Sequence, residues 1–143
     1  MQEYPAVELP GTGTPESIGN MSGHFEAKAG GHTFRLTFEN GALPRAKQVR
    51  NMQIAITAPD GKPMRQLQPV MNAFCHLVGF YEDNRTVVHL HPEGGDVTRD
   101  DLRGGPILAF KFFPPRAGFL RVFCQVLVDG KMIFAPFNVN VAP

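Results

Sequence analysis

Apolar and polar residues alternate along most of this chain. In residues 32–39, Phe34, Leu36 and Phe38 are separated by Arg35 and Thr37, and the run ends at Asn40-Gly41. A period of two places one set of side chains on one face, the mark of a half-buried strand. Residues 52–58 alternate in the same way and end at Pro59-Asp60-Gly61. Residues 74–81 read as a strand of mixed faces, followed by the turn-like Glu82-Asp83-Asn84-Arg85 and a return strand over 86–91. Further strands are predicted over 107–113, closed by Pro114-Pro115, over 119–128, and over 131–141. Asp129-Gly130 lies between the last two, a strong hairpin signal. Residues 24–29 supply an eighth strand if they pair. No 3.6-residue apolar period persists, so little or no helix is expected.

Seven to eight strands, with reversals every ten residues or so, predict an all-β chain: an immunoglobulin-like antiparallel β-sandwich. Residues 1–22 are rich in turn formers (Pro5, Pro10-Gly11, Gly13, Pro15, Gly19-Asn20) and read as an extended N-terminal segment before a sandwich over 23–143. Composition agrees with this reading. Gly (15) and Pro (13) make up about a fifth of the 143 residues, and Phe (12) is abundant. A chain of this size can form one core without a metal or disulfide.

Charge narrows the partners. Fourteen basic residues are balanced by thirteen acidic ones, giving a net charge of +1. They form no basic stripe of the kind that neutralises phosphates, so nucleic acid is not expected as a partner. No apolar run is long enough to span a bilayer. The first thirty residues lack a signal-peptide apolar region, which leaves a cytosolic protein or a mature exported form carrying an added Met1.

Candidate chemistry lies in residues 74–92. His89 and His91 share a face because side chains alternate along a strand. With a two-residue loop at Asp83-Asn84, Glu82 faces Arg85, Tyr81 faces Thr86 and His76 faces His91, with His89 diagonal to His76. Opposed Cβ atoms in such a ladder are about 4.5–5.5 Å apart and diagonal ones about 7–8 Å. Three imidazoles within that reach can close on one copper or zinc ion. Slipping the loop by one residue turns His76 to the other face. The same residues also fit a plain polar face. His24 and His32 have no evident partner and are expected at the surface.

Cys75 and Cys124 are the only cysteines. Both fall on apolar strands and on inward faces, which suits a disulfide in an oxidising compartment or two buried thiols packed as small hydrophobes. No nucleophile elbow, phosphate loop or dinucleotide fingerprint occurs, so no enzyme is expected. A histidine-bound zinc could activate water, but nothing else in the chain supports such chemistry. The loop over 93–106 is long, with Gly94-Gly95 and Gly104-Gly105 at its ends and charges between. It reads as a crossover between sheets or as a cover over the histidines.

One stretch of the chain also resembles a known group. Residues 67–78, Val88-His89-Leu90-His91-Pro92, residues 117–125 and Pro136-Phe137-Asn138-Val139 are similar to secreted bacterial sandwich domains. Those domains carry a His-Leu-Val … His-x-His-Pro … Gly-x-Tyr-x-x-x-x-Gln pattern and resemble the periplasmic copper-resistance and YtkA-like immunoglobulin-type domains in plan. The likeness spans roughly residues 52–141. It implies an immunoglobulin-like fold and a periplasmic or secreted location, and it marks His76, His89 and His91 as the shared histidines. The chain departs from the pattern where Phe119-Leu120 follows Gly118. Cys75 and Cys124 also stand where the group has small or aromatic residues.

Two functions are therefore expected. In the first, an exported module binds copper or zinc through His76, His89 and His91. In the second, a structural or interaction domain of a larger extracellular assembly contacts another extracytoplasmic protein and binds no metal.

Overall fold

The computed structural model describes residues 18–19, 24–83, 87–90 and 92–143. The expected N-terminal segment over 1–22 lies outside the described residues except for Ile18–Gly19. Two antiparallel sheets pack face to face. One runs β1 (Ile18–Gly19), β2 (His24–Ala29), β3 (His32–Phe38), β4 (Arg50–Thr57), β7 (Ile107–Phe112). The other runs β6 (Val87–Leu90), β5 (His76–Tyr81), β8 (Gly118–Val128), β9 (Lys131–Val141). Among the described residues the helical structure is one 3-10 turn, Glu39–Gly41.

The alternation read from the sequence sets the core. Phe34, Leu36 and Phe38 of β3 and Met52, Ile54 and Ile56 of β4 point inward, as do Leu108, Phe110 and Phe112 of β7. They meet Leu77 and Tyr81 of β5, Leu120, Val122 and Cys124 of β8, and Phe137 and Val139 of β9. Removing each large apolar side chain from water contributes roughly 1.5–3 kcal/mol. The wiring is that of an immunoglobulin-like sandwich: β5 and β6 form a hairpin in one sheet, the chain crosses to β7, then returns to β8 and β9.

The β8–β9 turn is Asp129-Gly130, with φ of 49° and 74° at the two residues, so both occupy the left-handed region that a tight primed turn needs. β9 is an edge strand of eleven residues, long enough to invite pairing with another chain. Pro136 at its centre has no N–H to offer, which blunts that edge.

His32 corrects the expectation that it is solvent-exposed. It lies on the same face of β3 as Phe34 and Leu36 and is buried, with Nδ1 3.1 Å from the Gly30 carbonyl oxygen. Its neighbours in the alternation, rather than its position at a strand end, decide its burial. The side chain of His24 lies outside the described residues.

The loop after β6 is a crossover between sheets. Glu93 N–H donates to the Ala109 carbonyl at 2.8 Å and Val97 N–H to the Asn72 carbonyl at 2.7 Å. Gly104 exchanges two backbone bonds with Leu67, at 3.0 and 3.1 Å. A Cβ on Gly104 would run into the Phe74 ring, so the close approach requires glycine.

Candidate functional site

The β5–β6 ladder has the register expected for a two-residue loop. Leu77 pairs with Leu90, Val78 with His89, Gly79 with Val88 and Phe80 with Val87. His76 and His89 therefore lie diagonally on the outward face of the second sheet. Their rings stack, with centroids 5.7 Å apart and planes at 26°. His91 lies outside the described residues.

The two imidazoles differ in setting. His89 is exposed. His76, although outward-facing, is only 1% exposed. Val70 and Ala73 close a short turn with reciprocal backbone bonds of 2.7 and 3.1 Å, and the Val70 carbonyl meets His76 Nε2 at 2.5 Å. A carbonyl can only accept, so the proton sits on Nε2 and the lone pair on Nδ1. A fixed tautomer and orientation of this kind is what an outer-shell carbonyl gives a metal-ligating histidine.

Gln125 of β8 pairs with His76 on its other side. It is 4% exposed, its amide nitrogen donates to Met132 Sδ at 3.3 Å, and its Oε1 is buried with no hydrogen-bond partner among the described residues. The pattern ending in this glutamine was the sequence signal for it. The β-ladders thus place His76 between His89 of β6 and Gln125 of β8 on one face.

Two imidazoles sharing one ion place their ring centres roughly 5–6 Å apart, given metal–nitrogen bonds of about 2.0–2.1 Å. The His76–His89 centroids fall within that range, but stacked rings hold their in-plane lone pairs side by side, so the exposed His89 ring must turn before both nitrogens meet one copper or zinc ion. Among the described residues, no group of three or more His, Cys, Asp or Glu side chains could hold a metal ion.

The cysteines meet on the opposite face of the same sheet. Cys75 and Cys124 are fully buried, with their sulfurs 3.1 Å apart. They stand as thiols and not as a disulfide, since a bonded pair is about 2.03–2.05 Å apart. Burial pushes the Cys75 thiol well above its ordinary pKa, and the adjacent Cys124 pushes it the same way. The Cys75 thiol is therefore held protonated.

A separate shallow depression of about 900 Å³ lies on the outer face of the first sheet, between Arg35, Asn51 and Lys111. Asn51 donates to Glu39 at 3.0 Å and accepts from Lys111 at 3.4 Å.

Fold and site together define an all-β, two-sheet sandwich domain with a histidine pair on one outer face. The chain belongs to the DUF8832 family, a domain of unknown function, whose family model matches residues 27–143. Its structure is similar to that of a DUF4426 family protein from Pseudomonas aeruginosa PAO1, with a TM-score of 0.52 and 13% sequence identity. The match covers 87% of this chain and 98% of that one, and at this identity it shows the fold alone. No curated protein matches the chain.

Proposed function

We propose that this domain is an exported metal-binding module that takes copper or zinc on the outer face of its second sheet. His76 and His89 are the first two ligands, and His91, one residue beyond the described end of β6, is the third. The stacked His76–His89 pair carries the reading: two imidazoles from different strands sit at ligand spacing, and one is already oriented by a backbone carbonyl. The resemblance to periplasmic copper-resistance domains points the same way and supports a periplasmic or secreted location. The ion would act as cargo or a stored ligand. Calorimetric titration of copper and zinc at neutral pH tests the proposal. One-to-one binding that disappears in the His89→Ala/His91→Ala variant supports it, and equal heats for both proteins refute it.

A second reading, an interaction domain of an extracellular assembly, draws on the same outer face. Phe123 points away from the space between the sheets yet is only 4% exposed, and Phe80 packs edge-on against it with ring centres 6.3 Å apart. Phe123 is thus already covered within the domain, and Phe80, half-buried beside it, is the aromatic of this face left for a protein partner. Co-purification of a partner with the wild-type domain, lost on Phe80→Ser, would favour this reading.

A further inference from the structure

We propose that Cys75 and Cys124 are an oxidisable pair that closes to a disulfide within the second sheet as the chain folds in an oxidising compartment. The inference goes beyond the metal reading and holds whether or not an ion binds.

The placement comes from the ladder. Cys124 pairs with Leu77 in the β5–β8 register. Cys75 lies two residues before Leu77, so it shares the inward face and sits diagonal to Cys124. Diagonal Cβ atoms in a regular ladder are about 7–8 Å apart, too far to bridge. Cys75 precedes the first residue of β5, outside the regular ladder, and its sulfur swings to within 3.1 Å of the other. The remaining gap between the sulfurs is about 1 Å.

The chemistry is thiol–disulfide exchange with a small-molecule or protein disulfide. One cysteine, as thiolate, attacks a sulfur of the oxidant. A mixed disulfide forms and one oxidant thiol leaves, taking up a proton. The second cysteine loses its proton, attacks the protein sulfur of the mixed disulfide and releases the second oxidant thiol. Two cysteine thiols and one oxidant disulfide become one protein disulfide and two oxidant thiols, with two electrons passing to the oxidant.

Burial decides when this happens. Both sulfurs have no exposed surface in the folded domain, so neither oxidant nor reductant reaches them there. Exchange belongs to the folding chain, before the inner faces of the sheets meet. Once closed, the bond ties the base of β5 to the middle of β8. Cys75 is the chain neighbour of His76, so the tie anchors the strand that presents the histidine.

The test uses the full chain, produced once in a reducing and once in an oxidising compartment. Each folded sample is then denatured, treated with a thiol-alkylating reagent and weighed by mass spectrometry. Two alkylated cysteines are expected in the first sample. None is expected in the second, which should be monomeric and lighter by two hydrogen atoms than the untreated reduced chain. A parallel sample, unfolded, reduced and then refolded with oxidised and reduced glutathione, should give the same unalkylated product. Two alkylatable thiols under all conditions, or a cysteine-linked dimer on a non-reducing gel, would overturn the proposal.

Discussion

His76 and His89 stack across neighbouring strands with ring centres 5.7 Å apart, one imidazole sealed under the Val70–Ala73 turn and the other open to solvent. The asymmetry gives two substitutions opposite structural consequences. His89→Ala removes an exposed ring and should leave stability within about 0.5 kcal/mol of wild type. His76→Ala leaves the Val70 carbonyl without its ring donor and opens a void, and should cost roughly 1–3 kcal/mol. Urea unfolding of both variants checks this, with the m-value unchanged if the native state stays intact.

Metal binding should depend on pH through the imidazoles. A histidine must be neutral to ligate, and its ordinary pKa is about 6.5. Affinity for zinc should therefore fall as the pH is lowered from neutral and the imidazoles take up protons. Calorimetry across this range reads the effect directly, and a flat profile would point away from histidine ligands.

The oxidised and reduced forms should differ in stability and in its pH dependence. A bond closing a loop between residues 49 apart in sequence should stabilise the fold by roughly 4 kcal/mol on chain-entropy grounds. In the reduced form, Cys75 has a pKa raised by burial above its ordinary value of 9.0. Above that value the unfolded thiol ionises while the folded one stays protonated, so folding loses stability as pH rises. Below it both states carry the proton, and this contribution is fully present. Thermal melts from pH 8 to 10.5 should therefore show a steeper alkaline loss for the reduced protein than for the oxidised one.

Tyr81 gives a prediction independent of the site. Its hydroxyl is buried, donates to the Arg116 carbonyl at 2.6 Å and accepts from the Arg116 N–H at 3.4 Å. The Arg116 guanidinium lies 4.1 Å from the ring centre and pairs with Asp83 at 2.8 Å. Tyr81→Phe keeps the ring and its contact with the cation but strips the hydroxyl. It should cost about 1–2 kcal/mol, read as a lower denaturant midpoint.

Much of the fold was legible because strand signals are local. The alternation of Phe34, Leu36 and Phe38, and the Asp129-Gly130 turn, each fix an element from a few neighbouring residues. The β5–β6 register was legible for the same reason, since the length of the turn sets which residues face each other. His32 also lay within the alternation, but its place at a strand end suggested exposure. The setting of His76 was not legible. Its burial depends on the Val70–Ala73 turn folding over the sheet, and its neighbour Gln125 arrives from a strand almost fifty residues away. The contact of the two sulfurs was partly legible, as a shared inward face, whereas their separation depends on where β5 begins.

The most direct test of the metal reading is long-range proton–nitrogen NMR of the histidine rings during zinc titration. Before zinc, His76 should show the tautomer protonated at Nε2, as its bond to the Val70 carbonyl requires. One equivalent of zinc should shift the nitrogens of His76, His89 and His91 together, with the Nε2 proton of His76 retained. Unchanged His76 and His89 resonances at one equivalent would contradict it.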